Sequence, residues 1–307
     1  MSAAGLLRLL AVCFLLAGCG GDSSGDDRKS ATLALDFQPN AVHAGVFAAD
    51  PPDLDLDIRV PSASTDSLKL LLSGRSDASI VDIHDLGLAR ERGEDVVGVG
   101  AIVQRPLAAV IARQRIRRPR DLEGKRVGVT GLPSDEAVLR AVVESDGGDF
   151  SAVRRTTIGF SAVPSLVAGK VDAVVTFWNA EGVTLRERGV PKREFRVDEF
   201  GAPRYPELVV AVTRKTLDER RELVDDLVAT LAEGTEEALR DRGGAVREIA
   251  AESGADEDLV RAQLEAVAPA LRPPLELNMA QLRRWARFDE RFGILRRAPD
   301  VERAFAP

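Results

Sequence analysis

Cysteine, histidine and aromatic residues are all scarce in this chain, and each scarcity removes a class of function. The 307 residues include two cysteines, Cys13 and Cys19, no basis for a disulfide-stapled domain or a cysteine-rich metal site. The two histidines are His43 and His84. Joined by Asp82 or Asp85 they would make a metal set whose spacing matches no ligand motif, so no metal is expected. Aromatic side chains are 5% of the chain, so any Phe, Trp or Tyr beside a pocket is more informative than usual. Basic charge is not in excess either: 42 Lys and Arg against 49 Asp and Glu give a net charge of -7, which argues against a nucleic-acid partner. The densest basic stretch, RQRIRRPR at 113–120, lacks aromatic or glycine interleaving. It reads as a solvated surface segment, although a phosphate-binding patch would have similar charge. No GxGxxG or GxxxxGKT run is present to cradle a nucleotide, and no GxSxG to seat a nucleophile. No cofactor and no catalytic residue are expected. What is present is a 45% hydrophobic chain, enough for one large or two medium domains with true cores.

The first thirty residues have the character of a targeting segment. Arg8 is the only charge ahead of an apolar run at 9–16, and that run is too short to remain as a membrane-spanning helix. Leu16-Ala17-Gly18-Cys19 follows and resembles the bacterial lipobox, which implies cleavage before Cys19 and lipid attachment to its thiol. A plain secretory signal with an incidental cysteine is the other reading. Residues 1–18 are expected to be a signal peptide. Residues 19–30, which after the cysteine read GGDSSGDDRKS, are expected to be a flexible tether. With Cys13 removed, the mature chain has no partner for an internal disulfide.

Beyond the tether the chain reads as repeated β–α units, which predicts an α/β class with a mainly parallel sheet. The stretch LALDFQPNAVHAGVF at 33–47 joins a core strand, through a Pro39-Asn40 turn, to a helix starting near Ala41. No acid occupies that helix's first turn. Its N–H groups and positive dipole end are therefore left for an outside acceptor, with Asn40 and His43 beside them. An ordinary capped strand-turn-helix would carry the same residues. Residues 54–60 alternate as a half-buried strand, and Ser62, Ser64 or Thr65 caps the next helix. A short strand at 77–81 ends at Asp82, a candidate cap. A helix to Gly93 and strands at 96–103 and 107–111 follow.

A second series starts at 126–129. Ser134 is expected to cap a helix whose Asp135 and Glu136 already complement its dipole, which makes a poor phosphate site. The strand at 171–176 gives way to the next helix at Phe177-Trp178-Asn179-Ala180-Glu181. Ligands of open α/β sheets gather at the C-terminal ends of strands. Trp178 is therefore a candidate aromatic face and Glu181 a candidate acceptor for an N–H-rich ligand; core packing and a dipole role are the plain alternatives. After a strand at 207–213 the pattern turns helical, at 218–242, 245–252, 256–267 and 279–292. These helices carry no identifiable chemistry and are expected to cover and complete the first domain.

LDFQPN at 35–40, followed by His43 and Gly45, resembles the LDWxPNxxHxG signature of the thiamine-pyrimidine-precursor-binding family, the substrate-binding components of ABC importers. The similarity continues through STDSLKLLLSGRSD at 64–77, VGAIVQRPL at 99–107, DLEGKRVGVTGLPSDE at 121–136, GKVDAVVTFWNAE at 169–181 and GAPRYPEL at 201–208. The resemblance implies a type II periplasmic-binding-protein fold: two α/β lobes with mainly parallel sheets, two crossover strands near 108–113 and 209–213, a helical C-terminal tail, and a ligand in the interlobe cleft. Lobe 1 would comprise 31–110 and 211–307, and lobe 2 would comprise 111–210. Carried over by position, Phe37 replaces the family tryptophan, and Asn40 and His43 are retained. Ser64 opens the second matched segment, Glu181 matches the carboxylate that holds an aminopyrimidine, and Tyr205 lies in Gly-x-Pro-x-Tyr. Asp82 follows Val81 where many members have Ser-Tyr, which adds an acceptor and removes an aromatic wall. With Trp178, these eight residues form the expected ligand-binding set.

The resemblance implies a monomeric, extracytoplasmic, lipid-anchored receptor. It would bind a thiamine pyrimidine precursor or a similar nitrogenous heterocycle and deliver it to an ABC permease. One competing reading keeps the fold and exchanges the ligand for a sulfonate, nitrate or other small anion, which Glu181 and Asp82 in one cleft would oppose. The other is a pyrimidine-synthesising enzyme like the family's eukaryotic relatives. Those relatives carry a cysteine-rich iron-binding segment and a cofactor-binding lysine, and this chain has no such cysteine cluster.

Overall fold

Short apolar runs alternating with helix-period segments form ten strands among the residues that this computed structural model describes, 29–51, 53–62 and 66–307. Cys19, the leader, most of the tether and Ser64 lie outside the described residues. In chain order the strands are β1 (Lys29–Ala34), β2 (Leu54–Arg59), β3 (Ala78–Asp82), β4 (Val96–Ala101), β5 (Ala108–Arg113), β6 (Arg126–Val129), β7 (Arg154–Thr157), β8 (Ala173–Phe177), β9 (Lys192–Arg196) and β10 (Leu208–Thr213). Lys29 and Ser30, read as tether, are therefore strand residues.

The strands form two five-stranded sheets, β2-β1-β3-β10-β4 and β7-β6-β8-β5-β9. In the first, β1 pairs parallel with β2 and β3, whereas β10 runs antiparallel to both β3 and β4. In the second, β6 pairs parallel with β7 and β8, and β5 runs antiparallel to β8 and β9. The pairing is thus mixed rather than mainly parallel. One strand in each sheet enters from the other sheet and runs against its neighbours. The passages themselves are 102–107 and 197–207, so 108–113 and 209–213 are full sheet members rather than connections.

Register decides where the passages lie. Leu208 is opposite Asp82, and Ala108 is opposite Phe177, so each entering strand starts where a neighbouring strand ends. The carboxyl ends of β3 and β8 therefore share one place with the two passages, which is where ligand sites of open α/β sheets form.

Burial follows from this layering. Both β2 and β4 are edge strands; β4 is buried along its whole length, with Phe305 and Leu275 bridging to it, whereas β2 is the alternating strand that its sequence predicts. The C-terminal helices do more than cover the first sheet. Glu257–Val267 packs on the 178–187 segment, and Met279–Phe292 touches the helix Pro133–Ser145 of the second series. Among the described residues no helix is long and apolar enough to cross a membrane.

Candidate functional site: the cleft between the sheets

The chain leaves β1 through Asp36 and Phe37 and turns at Asn40. Asn40 Oδ1 accepts the Val42 N–H at 3.0 Å, and its Nδ2 donates to the Gln38 carbonyl at 3.0 Å. The Asn40 N–H donates to His43 Nδ1 at 3.3 Å, and the His43 N–H returns to the Asn40 carbonyl at 2.9 Å. Since Nδ1 accepts, the ring hydrogen is assigned to Nε2, which donates to Asp36 Oδ1 at 2.7 Å. His43 is fully buried in this arrangement. The turn therefore consumes the Val42 and His43 N–H groups internally, and the helix it opens is only the short pair Ala41–His43 and Ala44–Phe47. The predicted row of N–H groups awaiting an outside acceptor is not formed, because Asn40 and His43 cap one another.

The facing wall comes from the second sheet. β8 ends at Phe177, and Trp178–Gly182 makes one wide π-helical turn. Within it Glu181 Oε2 accepts the Phe177 N–H at 3.3 Å. Burial pushes the Glu181 carboxyl above the usual range, opposed by hydrogen bonds from Thr176 and Phe177. Asn179 is 2% exposed, and its Oδ1 has no partner. Trp178 turns elsewhere: its Nε1 donates to the Pro106 carbonyl at 3.0 Å, and the Arg196 guanidinium covers its face at 4.1 Å. A third wall is the start of Pro133–Ser145, whose N-cap position is Leu132 rather than Ser134 and has no side-chain cap. Asp135 reaches back to accept the Gly131 and Leu132 N–H groups at 2.9 and 3.1 Å.

The floor is a buried polar network. Asp82 caps the helix Ile83–Glu91 by accepting the His84 N–H at 2.7 Å. Glu207 Oε2 accepts the Leu107 N–H at 3.0 Å and so ties one passage to the other. His84 Nδ1 lies 2.8 Å from Asp289, and its Nε2 lies 3.2 Å from the Tyr205 hydroxyl. Burial opposes the imidazolium, but Asp289, Asp82 and Glu207 outweigh it and the pKa is pushed up to about 10. Asp82 and Glu207 are both raised by burial and lowered by His84. One ligand atom each from Asp82, His84 and Glu207 lies within 4.8 Å of the others, so these three could hold a metal ion. Both His84 nitrogens already have partners, Asp289 at Nδ1 and Tyr205 at Nε2, one of which such an ion would have to displace. The two histidines belong to separate networks, each with its own carboxylate.

These walls enclose a cavity of about 140 Å³. Phe37, Asn40, Asp82 and Glu181 come together in its lining. His43, Trp178 and Tyr205 do not line it; all three are buried in the packing described above. The sequence reading did not single out Asp36, Asn179, Phe160 and Glu207, which also line the cavity. Phe160 is 55% exposed, and its ring sits 5.2 Å from that of Phe37. Asp36, Asn179 and Glu207 sit inside stretches already marked by sequence, whereas Phe160 carries no local signal.

Two lobes, two passages and a cleft at the strand ends define a type II periplasmic-binding-protein fold, and solved structures share it. The chain superposes on the alkanesulfonate-binding protein SsuA of Xanthomonas axonopodis pv. citri with a TM-score of 0.73 at 19% identity, covering 91% of this chain and 99% of that one. The periplasmic aliphatic sulphonate binding protein SsuA of Escherichia coli gives 0.72 at 17% identity, covering 90% and 97%. At these identities the likeness is one of fold. By sequence, the chain belongs to the NMT1/THI5-like family, whose profile matches residues 40–245. It is 34% identical over 232 residues to the formylaminopyrimidine-binding protein of Halalkalibacterium halodurans, covering 71% of this chain and 70% of that protein. It is also 27% identical over 170 residues to the 4-amino-5-hydroxymethyl-2-methylpyrimidine phosphate synthase THI12 of Saccharomyces cerevisiae, covering 51% of this chain and 48% of the synthase.

Proposed function

We propose that this chain is a solute-binding receptor of an ABC importer and that its ligand is an amino-substituted pyrimidine or a similar nitrogenous heterocycle. The observation that carries this reading is the meeting of Phe37, Asn40 and Glu181 in one cavity. They supply an aromatic face, an amide and a buried carboxylate for a flat ring with an exocyclic amine. Phe37 stacks, Glu181 accepts from the amine, and Asp82 offers a second acceptor. His43 fixes Asp36 and Asn40, Trp178 props the Glu181 turn, and Tyr205 holds His84. The 34% identity to a formylaminopyrimidine-binding protein supports a binding role over synthesis. In this reading lipidation at Cys19 holds the receptor, as a monomer, outside the cytoplasmic membrane beside its permease, and Ser64 joins the ligand shell. The two lobes divide at the passages, 102–107 and 197–207, so that β5 belongs to the second and β10 to the first, rather than within those strands at 110 and 210.

A thermal-shift screen against aminopyrimidines, thiamine fragments, alkanesulfonates and nitrate tests this. A true ligand at about 100 times its Kd stabilises the native state by about 2.7 kcal/mol. A response confined to the anions would sink the proposal.

A further inference from the structure

Six carboxylates line the cavity, those of Asp36, Asp82, Asp85, Asp135, Glu181 and Glu207, and no Lys, Arg or His does so among the described residues. Charged neighbours stand behind this lining and offset part of it. The His84 imidazolium faces Asp82 and Glu207, and Arg92 acts on Asp85, while His43 Nε2 donates a hydrogen bond to Asp36. Asp135 and Glu181 have only hydroxyl and backbone N–H partners. Independently of charge, the buried Asn179 Oδ1 is another acceptor without a donor. The lining is therefore acceptor-rich and short of positive charge, beside the rings of Phe37, Phe160 and Phe177.

We infer that the ligand is bound as a cation: a planar aromatic heterocycle carrying a proton on a ring nitrogen as well as its exocyclic amine. This rests on the heterocycle-receptor reading above and deepens it. A neutral pyrimidine would turn ring lone pairs toward carboxylates, whereas the protonated ring turns an N–H toward them and supplies the missing charge. Binding is then linked to proton uptake whenever the free base is neutral. The proton passes from solvent to the ring nitrogen, and no covalent step is involved.

The test is isothermal titration of the purified chain at about pH 8 in two buffers of different ionisation enthalpy. The probes are 4-amino-2-methylpyrimidine, its N1-methylated pyrimidinium, which is permanently cationic, and 3-methylaniline, which keeps the amine and methyl on a non-basic ring. The expected result is uptake of about one proton per bound aminopyrimidine and none with the pyrimidinium. The pyrimidinium should also bind at least about tenfold more tightly than 3-methylaniline. Aminopyrimidine binding without proton uptake would overturn the inference and leave the receptor reading standing. Equal uptake with 3-methylaniline would assign the proton to a protein carboxylate and also overturn it. No binding of any probe would overturn both.

Discussion

Replacing Glu181 by Gln removes one charge from the cavity wall and little else, so its effect on the free protein and on the complex can be predicted separately. In the free protein, the amide oxygen of Gln can still accept the Phe177 N–H that Glu181 now holds at 3.3 Å. Burial already pushes the carboxyl above its usual range, so ionised Glu181 costs the fold stability at neutral pH, and the neutral amide relieves that cost. The unliganded melting temperature should hold steady or rise slightly. In the complex, the lost interaction is a hydrogen bond to a charged group, worth about 1.5–3 kcal/mol. That corresponds to about a tenfold to 150-fold rise in Kd. Because the free carboxyl keeps its proton to a higher pH than an ordinary glutamate, the Glu181-linked part of the affinity should start to fall at a correspondingly higher pH on acidification, against the rise that protonation of the ligand gives. In Glu181→Gln that Glu181-linked component should vanish. Titration calorimetry with 4-amino-5-hydroxymethyl-2-methylpyrimidine across about pH 5 to 8 reads both effects. An unchanged Kd in a variant that melts like the parent would remove Glu181 from the ligand shell.

Three further outcomes follow from the same geometry. Phe37→Ala should lose a stacking term of about 0.5–1.5 kcal/mol, weakening a pyrimidine several-fold in the same titration while leaving the half-buried turn folded. Gly45→Ala should destabilise the fold by about 1–3 kcal/mol in urea unfolding. Its new Cβ would lie 2.1 Å from Thr235 Oγ1 and 3.0 Å from the Leu231 carbonyl, and adding Thr235→Ala should recover part of the loss. Asp289→Asn strips the buried His84 cation of its nearest carboxylate, a change that typically costs about 3–5 kcal/mol. His84 sits at about 10 when folded against 6.5 unfolded, so its stabilisation is complete below about pH 6.5 and fades as pH rises through 10. Melting curves should show that alkaline slope in the parent and a shallower one in the variant.

The local chemistry of the site was legible in sequence and its long-range chemistry was not. Pro39-Asn40 and the break after β8 are changes of periodicity, and both bracket residues that reach the cavity. The network of His84, Tyr205 and Asp289 is invisible to spacing, because its members are brought together only by β10 entering beside β3 and the helix Met279–Phe292 packing beneath. The role of Glu207 was hidden for the same reason. Trp178 was misleading because strand-end aromatics suit ligands and packing alike; the Arg196 guanidinium over its face decided the matter. The mixed sheets were hidden too, since β5 and β10 are as apolar as their parallel neighbours and strand direction leaves no mark on composition.

On the proposed reading, that inserted-strand topology would also make charge recognition and any lobe movement meet at the same atoms. An entering strand that starts where its neighbours end places its first residues at the cleft floor. Leu208 therefore pairs with Asp82, and Ala108 with Phe177. Glu207, the last residue of one passage, gives its carbonyl to the Ile83 N–H and its carboxylate to the Leu107 N–H at the end of the other. The same carboxylate lines the cavity. A cation held against Asp82 and Glu207 would thus act on the joint between the lobes as well as on the pocket wall. Ligand charge and closure would then be coupled through one side chain, without any longer path.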